Sequence, residues 1–275
     1  MIEIIKALIL GIVQGITEWL PISSTAHLIL LNDLIKLDVT PAFWDLFEVV
    51  IQLGSIMAVL ILYFSQLNPF AKDKDEKEKM STYRLWFMIV VASLPLIVVA
   101  LFDDFIPDNP AIIAFTLILY GILFIVVERY NKTRDPKIKS MRSLDIKTAL
   151  LIGCFQALAV IPGTSRSGAT IIGASILGLS RTVAAEFSFF LAIPAMLGAS
   201  GLKLLKYILK VGLSFTLSEV ILLLVATIVS YVVSMFVIKN LLKYIRKHDF
   251  TGFGYYRIVL GIIIIITIIA KSLLA

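Results

Sequence analysis

Long apolar runs joined by short charged connectors cover this chain, and two of the runs are broken in the middle by polar residues. Unbroken runs lie at about 45–65, 84–103, 111–128, 183–202, 216–239 and 254–271. A helix needs about 20 mostly apolar residues to cross a hydrocarbon layer of about 30 Å, so each run is long enough to span. A membrane strand would show about ten residues of strict alternation, and these runs do not alternate. The pattern therefore predicts an all-α, polytopic membrane protein with six transmembrane helices. Pro95 predicts a kink in the second, because proline removes a helix hydrogen bond and crowds the preceding turn.

The broken segments are residues 1–36, interrupted at Pro21, and 149–180, interrupted by proline, glycine and hydroxyl side chains. Each half is too short to cross alone, so a re-entrant helical hairpin is expected at each place. Laying 11–31 over 153–173 pairs Gly11 with Gly153, Gln14 with Gln156, Ser23 with Ser165 and Thr25 with Ser167. An acid follows at the head of the next span in both cases, Glu48 and Glu186. Matched, interrupted hydrophobic segments in two halves point to an inverted repeat with its site at the interruptions. The expected organisation is one membrane domain over 1–275, with repeat one at about 1–130 and repeat two at about 145–275.

Charge sets the orientation. With both broken segments re-entrant, each half crosses three times, and the halves are inverted relative to each other. The loops at 66–84, 129–147 and 239–257 then share one side and hold seventeen of the 25 Lys and Arg residues. The other side has Lys6, Lys36, Lys203, Lys206, Lys210 and Lys271, and the acidic turn at 103–110 contributes none. Basic loops stay cytoplasmic, which puts both termini outside. Counting the broken segments as full spans would scatter the basic loops over both sides.

Composition agrees: 59% hydrophobic residues, 16% charged and a mean hydropathy of +0.98 exclude an ordinary water-soluble domain. The net charge of +6 sits in short loops between spans, as the orientation rule requires, and not in a stripe, so no nucleic-acid partner is expected. The mixed-charge stretch KDKDEKEK reads as a solvated connector. A single cysteine, Cys154, excludes an intramolecular disulfide or thiolate metal cluster and reads as a small apolar filler. The N-terminus MIEIIK lacks a basic leader region and is expected to be retained. A homodimer is compatible with the sequence, which does not set oligomeric state.

The first interruption, QGITEWLPISSTAH from Gln14 to His27, places a carboxylate, hydroxyls and an imidazole in an apolar setting. An acid at the bilayer centre costs about 2.5–3.5 kcal/mol, so something must compensate. Gln14 and Glu18 share a helix face and offer hard oxygen ligands suited to Mg²⁺ or Ca²⁺; the plainer alternative is a buried Glu satisfied by serines or backbone. Ser23, Ser24 and Thr25 form an N-cap sequence, whose free N–H groups and positive dipole end suit an anion. His27 follows Ser24 by three residues and Ser23 by four, near enough to take a proton from either, and spacing does not choose. In the second interruption, PGTSRSGAT, Ser165 to Ser167 cap another half-helix and Thr170 lies one turn beyond Arg166. A buried guanidinium calls for an anion or a carboxylate partner, the latter being Glu18 or Glu186. Together these groups suit a multiply charged phosphate on a lipid.

QGITEWLPISSTAH and PGTSRSGAT resemble the two signature motifs of the undecaprenyl-diphosphatase (bacitracin-resistance) family of bacterial membrane enzymes, and EVVIQLGSIMAV at 48–59 is similar to the family's next segment. The likeness extends over essentially the whole chain. It implies hydrolysis of undecaprenyl diphosphate, recycling of the cell-wall lipid carrier, a divalent cation, and a site open to the extracytoplasmic side of the bacterial cytoplasmic membrane. By motif, Glu18 would be the essential acid and metal ligand, Ser24 the nucleophile, His27 a base or relay and Arg166 the phosphate clamp. Ser23, Thr25, Ser165, Ser167 and Thr170 would line the pocket. Gln14 stands where many members carry a second Glu, which weakens any two-carboxylate metal site. Broken helices in an inverted repeat also build secondary transporters, so a polyprenyl-phosphate flippase or carrier is the competing reading.

Overall fold

The computed structural model describes residues 1–100, 109–212 and 214–274; the acidic turn expected at 103–110 lies, apart from Asn109 and Pro110, outside the described residues. The helices run α1 (Ile2–Thr17), α2 (Ser24–Ile35), α3 (Pro41–Leu62), the single turn α4 (Phe64–Leu67), α5 (Glu76–Ala100), α6 (Pro110–Asn131), α7 (Ile146–Ala157), α8 (Arg166–Ile176), α9 (Arg181–Val211), α10 (Leu217–Ile245) and α11 (Thr251–Leu274). Among the described residues the only strand-like pairing is one bridge between Ile138 and Leu179. Among the described residues six helices, α3, α5, α6, α9, α10 and α11, are long and apolar enough to cross a membrane. Both interrupted segments break into paired short helices, 16 and 12 residues in α1 and α2 and 12 and 11 in α7 and α8. The chain thus runs twice through two short helices followed by long ones.

The helices overrun the apolar windows because capping and solvated polar residues extend them. Thr40 accepts from Phe43 N at 3.2 Å ahead of Pro41, and Asn109 accepts from Ala111 N at 2.8 Å ahead of Pro110, a cap followed by proline in both cases. Half of the KDKDEKEK connector, from Glu76 onward, is the first turn of α5. That helix continues through Pro95, and α9 through Pro194.

The chain forms two compact units. The first comprises Met1–Trp19, Ser24–Phe64 and Ala192–Leu241, and the second Leu20–Ser23, Ser65–Leu191 and Leu242–Ala275. In the first unit, α1 packs on α2 and α3 over a core that includes Leu10, Leu28, Phe43, Phe47, Leu222 and Ala226. A Cβ at Gly11 would come within 2.6 Å of the Ala226 carbonyl, so only glycine allows this backbone approach. Ser55, Ser230 and Ser234 close a buried hydroxyl chain, 2.7 and 3.1 Å long, that ends on the Gly15 carbonyl at 3.2 Å. In the second unit α6 packs along α11, α5 on α7, and α7 on α8. There Gly153 meets the Ala92 carbonyl as closely as its sequence counterpart Gly11 meets Ala226. Large apolar side chains point outward, Phe115 and Phe236 being 64% and 65% exposed. A lipid-facing surface has that character, whereas a water-facing one would rarely carry it.

Candidate functional site

In the first unit, α1 presents Gln14 and Glu18 one turn apart, both buried. Gln14 Nε2 donates to Glu18 Oε2 at 2.8 Å, and Ser24 Oγ, the first residue of α2, donates to the same oxygen at 2.7 Å. Two donors thus converge on one carboxylate oxygen. The alternative of a Glu satisfied by a serine is therefore realised in part, and the serine is the one that also heads a helix. Gln14 Oε1 is buried and meets no donor among the described residues. Gln156, its counterpart, has the same orphaned oxygen, but Val160 stands where Glu18 does in the first interruption. Hence the carboxylate, more than the orphaned amide, distinguishes the first interruption, and it is the side chain there that could hold a hard cation. Among the described residues no group of three or more His, Cys, Asp or Glu side chains converges as a metal cage. His27 sits half-buried on α2 one turn past Ser24, and Thr25 faces outward.

In the second unit, Ser165 caps α8: its hydroxyl accepts from Gly168 N at 3.2 Å. It also lies 3.1 Å from Ser167 Oγ, which donates to the Leu20 carbonyl at 3.4 Å. Arg166, half-buried, donates from Nη1 to the Ser188 carbonyl on α9 at 2.8 Å. Thr170 is buried and occupied, donating back to the Arg166 and Ser167 carbonyls and sharing a 2.6 Å bond with Ser188 Oγ. Ser23 and Ser165, paired by the sequence overlay, share an uncommon backbone state with φ of 72° and 70°. A non-glycine residue held there costs on the order of 1–3 kcal/mol, and such strain concentrates at functional sites. The same overlay matches Ser24 with Arg166. The two interruptions thus share one backbone device, but the first carries acid and hydroxyl and the second carries the cation.

Arg257 is the residue that sequence reasoning misplaced. It was grouped with the basic loop 239–257, yet it lies inside α11 and is fully buried. Its Nη1 donates to the Pro21 carbonyl at 3.1 Å, and its Nη2 to the Gly163 and Thr164 carbonyls at 2.9 and 3.0 Å. Its guanidinium carbon lies 5.5 Å from the centre of the Tyr120 ring. One planar fork therefore ties the tip of the first interruption, Leu20–Ser23, to the tip of the second. Gly163, at φ +83°, lets that second tip press against Thr116, whose hydroxyl donates to the Pro162 carbonyl at 2.7 Å. The available signal was a lone arginine within the apolar run YYRIVLG, which at the end of a span reads as an interfacial anchor.

Comparison with known proteins follows from these motifs. An undecaprenyl-diphosphatase of Lactobacillus delbrueckii subsp. bulgaricus is 53% identical over 270 residues, 97% of this chain and 98% of the relative. One from Enterococcus faecalis is 54% identical over 264 residues, 94% and 95% of the two chains. The family model described as bacitracin resistance protein BacA matches residues 7–263. With nearly the whole chain matched, and both interruptions inside the match, the protein belongs to the bacitracin resistance protein BacA family.

Proposed function

We propose that the protein is an integral membrane phosphatase that hydrolyses undecaprenyl diphosphate to undecaprenyl phosphate and inorganic phosphate, returning the lipid carrier to cell-wall synthesis. The observation that carries this reading is the 2.7 Å hydrogen bond from Ser24 Oγ to Glu18 in a chain that an undecaprenyl-diphosphatase matches over 97% of its residues. A hydroxyl donating to a buried carboxylate is a nucleophile already beside its base.

In the proposed reaction Ser24 Oγ attacks the terminal phosphorus, its proton passes to Glu18, and the bridging oxygen leaves with undecaprenyl phosphate. Water then cleaves the phosphoserine, with His27 relaying the proton. Arg166 would clamp the phosphate oxygens and the N-terminus of α8 would add its dipole. Ser23, Thr25, Ser165, Ser167 and Thr170 would shape the surrounding wall. Leu20, held by Ser167, follows Glu18 by two residues, and Ser23 immediately precedes Ser24, so the tip that Arg257 pins is covalently flanked by acid and hydroxyl. Glu18 and the orphaned Gln14 oxygen fit a hard divalent cation, Mg²⁺ or Ca²⁺, completed by water or substrate oxygens. Bound there, the ion would neutralise developing phosphate charge.

The short arms of the two interruptions suit re-entrant hairpins in an inverted repeat, with the basic connectors cytoplasmic and the site open to the outside of the cytoplasmic membrane. A homodimer is compatible with this reading, and light scattering in detergent distinguishes it from a monomer. Purified protein in detergent should release phosphate from the lipid diphosphate when Mg²⁺ or Ca²⁺ is supplied. A carrier makes no product without a membrane, so absence of release at every ion concentration would overturn the proposal.

A further inference from the structure

The connector from α6 to α7, the turn from α8 to α9 and the end of α10 enclose a cavity of about 670 Å³ within the second unit. It lies at the ends of three spans, where headgroups meet a membrane protein. Its walls carry Lys132, Arg134, Lys137, Arg181 and Arg246 against two acids, Glu128 and Asp135. Both acids are already committed. Glu128 takes Arg181 Nη2 at 2.6 Å and the Phe250 amide at 3.1 Å, and Asp135 takes Lys139 at 2.7 Å. Arg246 stands on the same wall, just past the end of α10. Lys132, Arg134 and Lys137 make no ion pair among the described residues.

These three cations are held by an ordered connector. Ile138 N donates to the Gly178 carbonyl at 3.0 Å, Ser180 N returns to the Ile138 carbonyl at 2.9 Å, and Asn131 Nδ2 reaches the Ser175 carbonyl at 3.0 Å. The Arg134 guanidinium stacks 3.7 Å over the Tyr130 ring. The Lys137 stem runs across Gly178, whose φ of +90° and bare Cα leave that path open. Like charges held together in advance repel one another and lower the cost of binding an anion. Ile176, Leu177, Leu179 and Ile245 make up the apolar part of the wall, and the volume far exceeds that of one phosphate ion.

We infer that this cavity binds the phosphodiester headgroup of an anionic phospholipid, the glycerol backbone resting on the apolar wall. Basic pockets at the ends of membrane helices take such headgroups. This site is separate from the one proposed for turnover and does not depend on it.

Full-length protein in neutral detergent is titrated with phosphatidylglycerol, phosphatidylcholine or inorganic phosphate, and bound ligand is read by native mass spectrometry. Phosphatidylglycerol should bind at one retained copy, at least about tenfold tighter than phosphatidylcholine, with the preference fading as salt rises. Each basic residue is worth roughly fivefold, so the triple variant Lys132→Gln, Arg134→Gln, Lys137→Gln should weaken binding on the order of 100-fold while phosphate release stays unchanged. Lys77→Gln, exposed in the first turn of α5 and outside the cavity wall, should bind as wild type. Equal binding of the two lipids by wild type at low salt overturns the inference whether or not the variant folds. So does full retention of lipid by a folded triple variant, or displacement of the lipid by millimolar inorganic phosphate, which would make the site one for free phosphate.

Discussion

Replacing Arg257 by methionine is expected to loosen both interrupted tips at once. Three carbonyls, of Pro21, Gly163 and Thr164, lose a charged donor. Bonds of this type contribute about 1.5–3 kcal/mol each, a gross loss of about 5–9 kcal/mol. The desolvation cost of the cation, several kcal/mol, is recovered when the charge is removed, leaving a net loss of about 3–5 kcal/mol. On the scaling for chains of this size the melting temperature in detergent should fall by about 6–20 °C. At a temperature where the variant is still folded, turnover should also fall, because a displacement of about 1 Å at a reacting centre costs about 100-fold. Arg257→Lys should be intermediate, since an ammonium keeps the charge but lacks the planar fork. A double-mutant cycle with Tyr120→Leu should show a coupling of about 0.5–2 kcal/mol from the cation over the ring. The reasoning fails if Arg257→Met melts within about 2 °C of wild type, less than about 1 kcal/mol, and hydrolyses substrate at a near-native rate.

Other outcomes follow from the two clusters. Arg166→Ala should lower phosphate release by about 100-fold or more while leaving the fold intact by thermal melting, and preserved turnover would remove the clamp from the mechanism. Ser24→Ala should abolish turnover if attack is covalent; near-native rates, with label from heavy water in the phosphate of the first turnover, would instead assign attack to water. Ser165→Gly should be more stable than Ser165→Ala by about 1 kcal/mol, because glycine accepts the positive φ and loses little as a cap, and the reverse order in denaturant titration would contradict the observed backbone. Asp145 caps α7 by accepting from Thr148 N at 2.7 Å, which holds its carboxyl below its ordinary value near 3.8. Its contribution is therefore present above pH 3.8 and is lost as pH falls through the lowered value, so the melting gap to Asp145→Ala should narrow in acid; a gap independent of pH would exclude a charged cap.

The six spans and the two interruptions were legible in the chain because each is a local property. A run of apolar residues is long enough to cross or it is not, and Pro21 or Pro162–Gly163, set among hydroxyl residues, marks a break, whereas Pro95 and Pro194 inside apolar runs do not interrupt their helices. The pairing of Ser23 with Ser165 was legible too, and it reappears as one backbone state at two places. The overlay also paired Gly11 with Gly153, and at each of them a carbonyl of a neighbouring helix comes too close for a side chain. Arg257 was not legible in this way. Nothing within its own run separates an arginine that reaches out to a headgroup from one that turns inward, since both cap an aromatic-rich start of a span. What settles it is the presence of three carbonyls left over where two distant turns stop being helical. An isolated helix can satisfy its own backbone, but a broken one in a medium without water cannot, so its spare acceptors must be met by a donor from elsewhere in the chain. Local sequence therefore determined where the helices break, and tertiary structure decided which side chain answers the break.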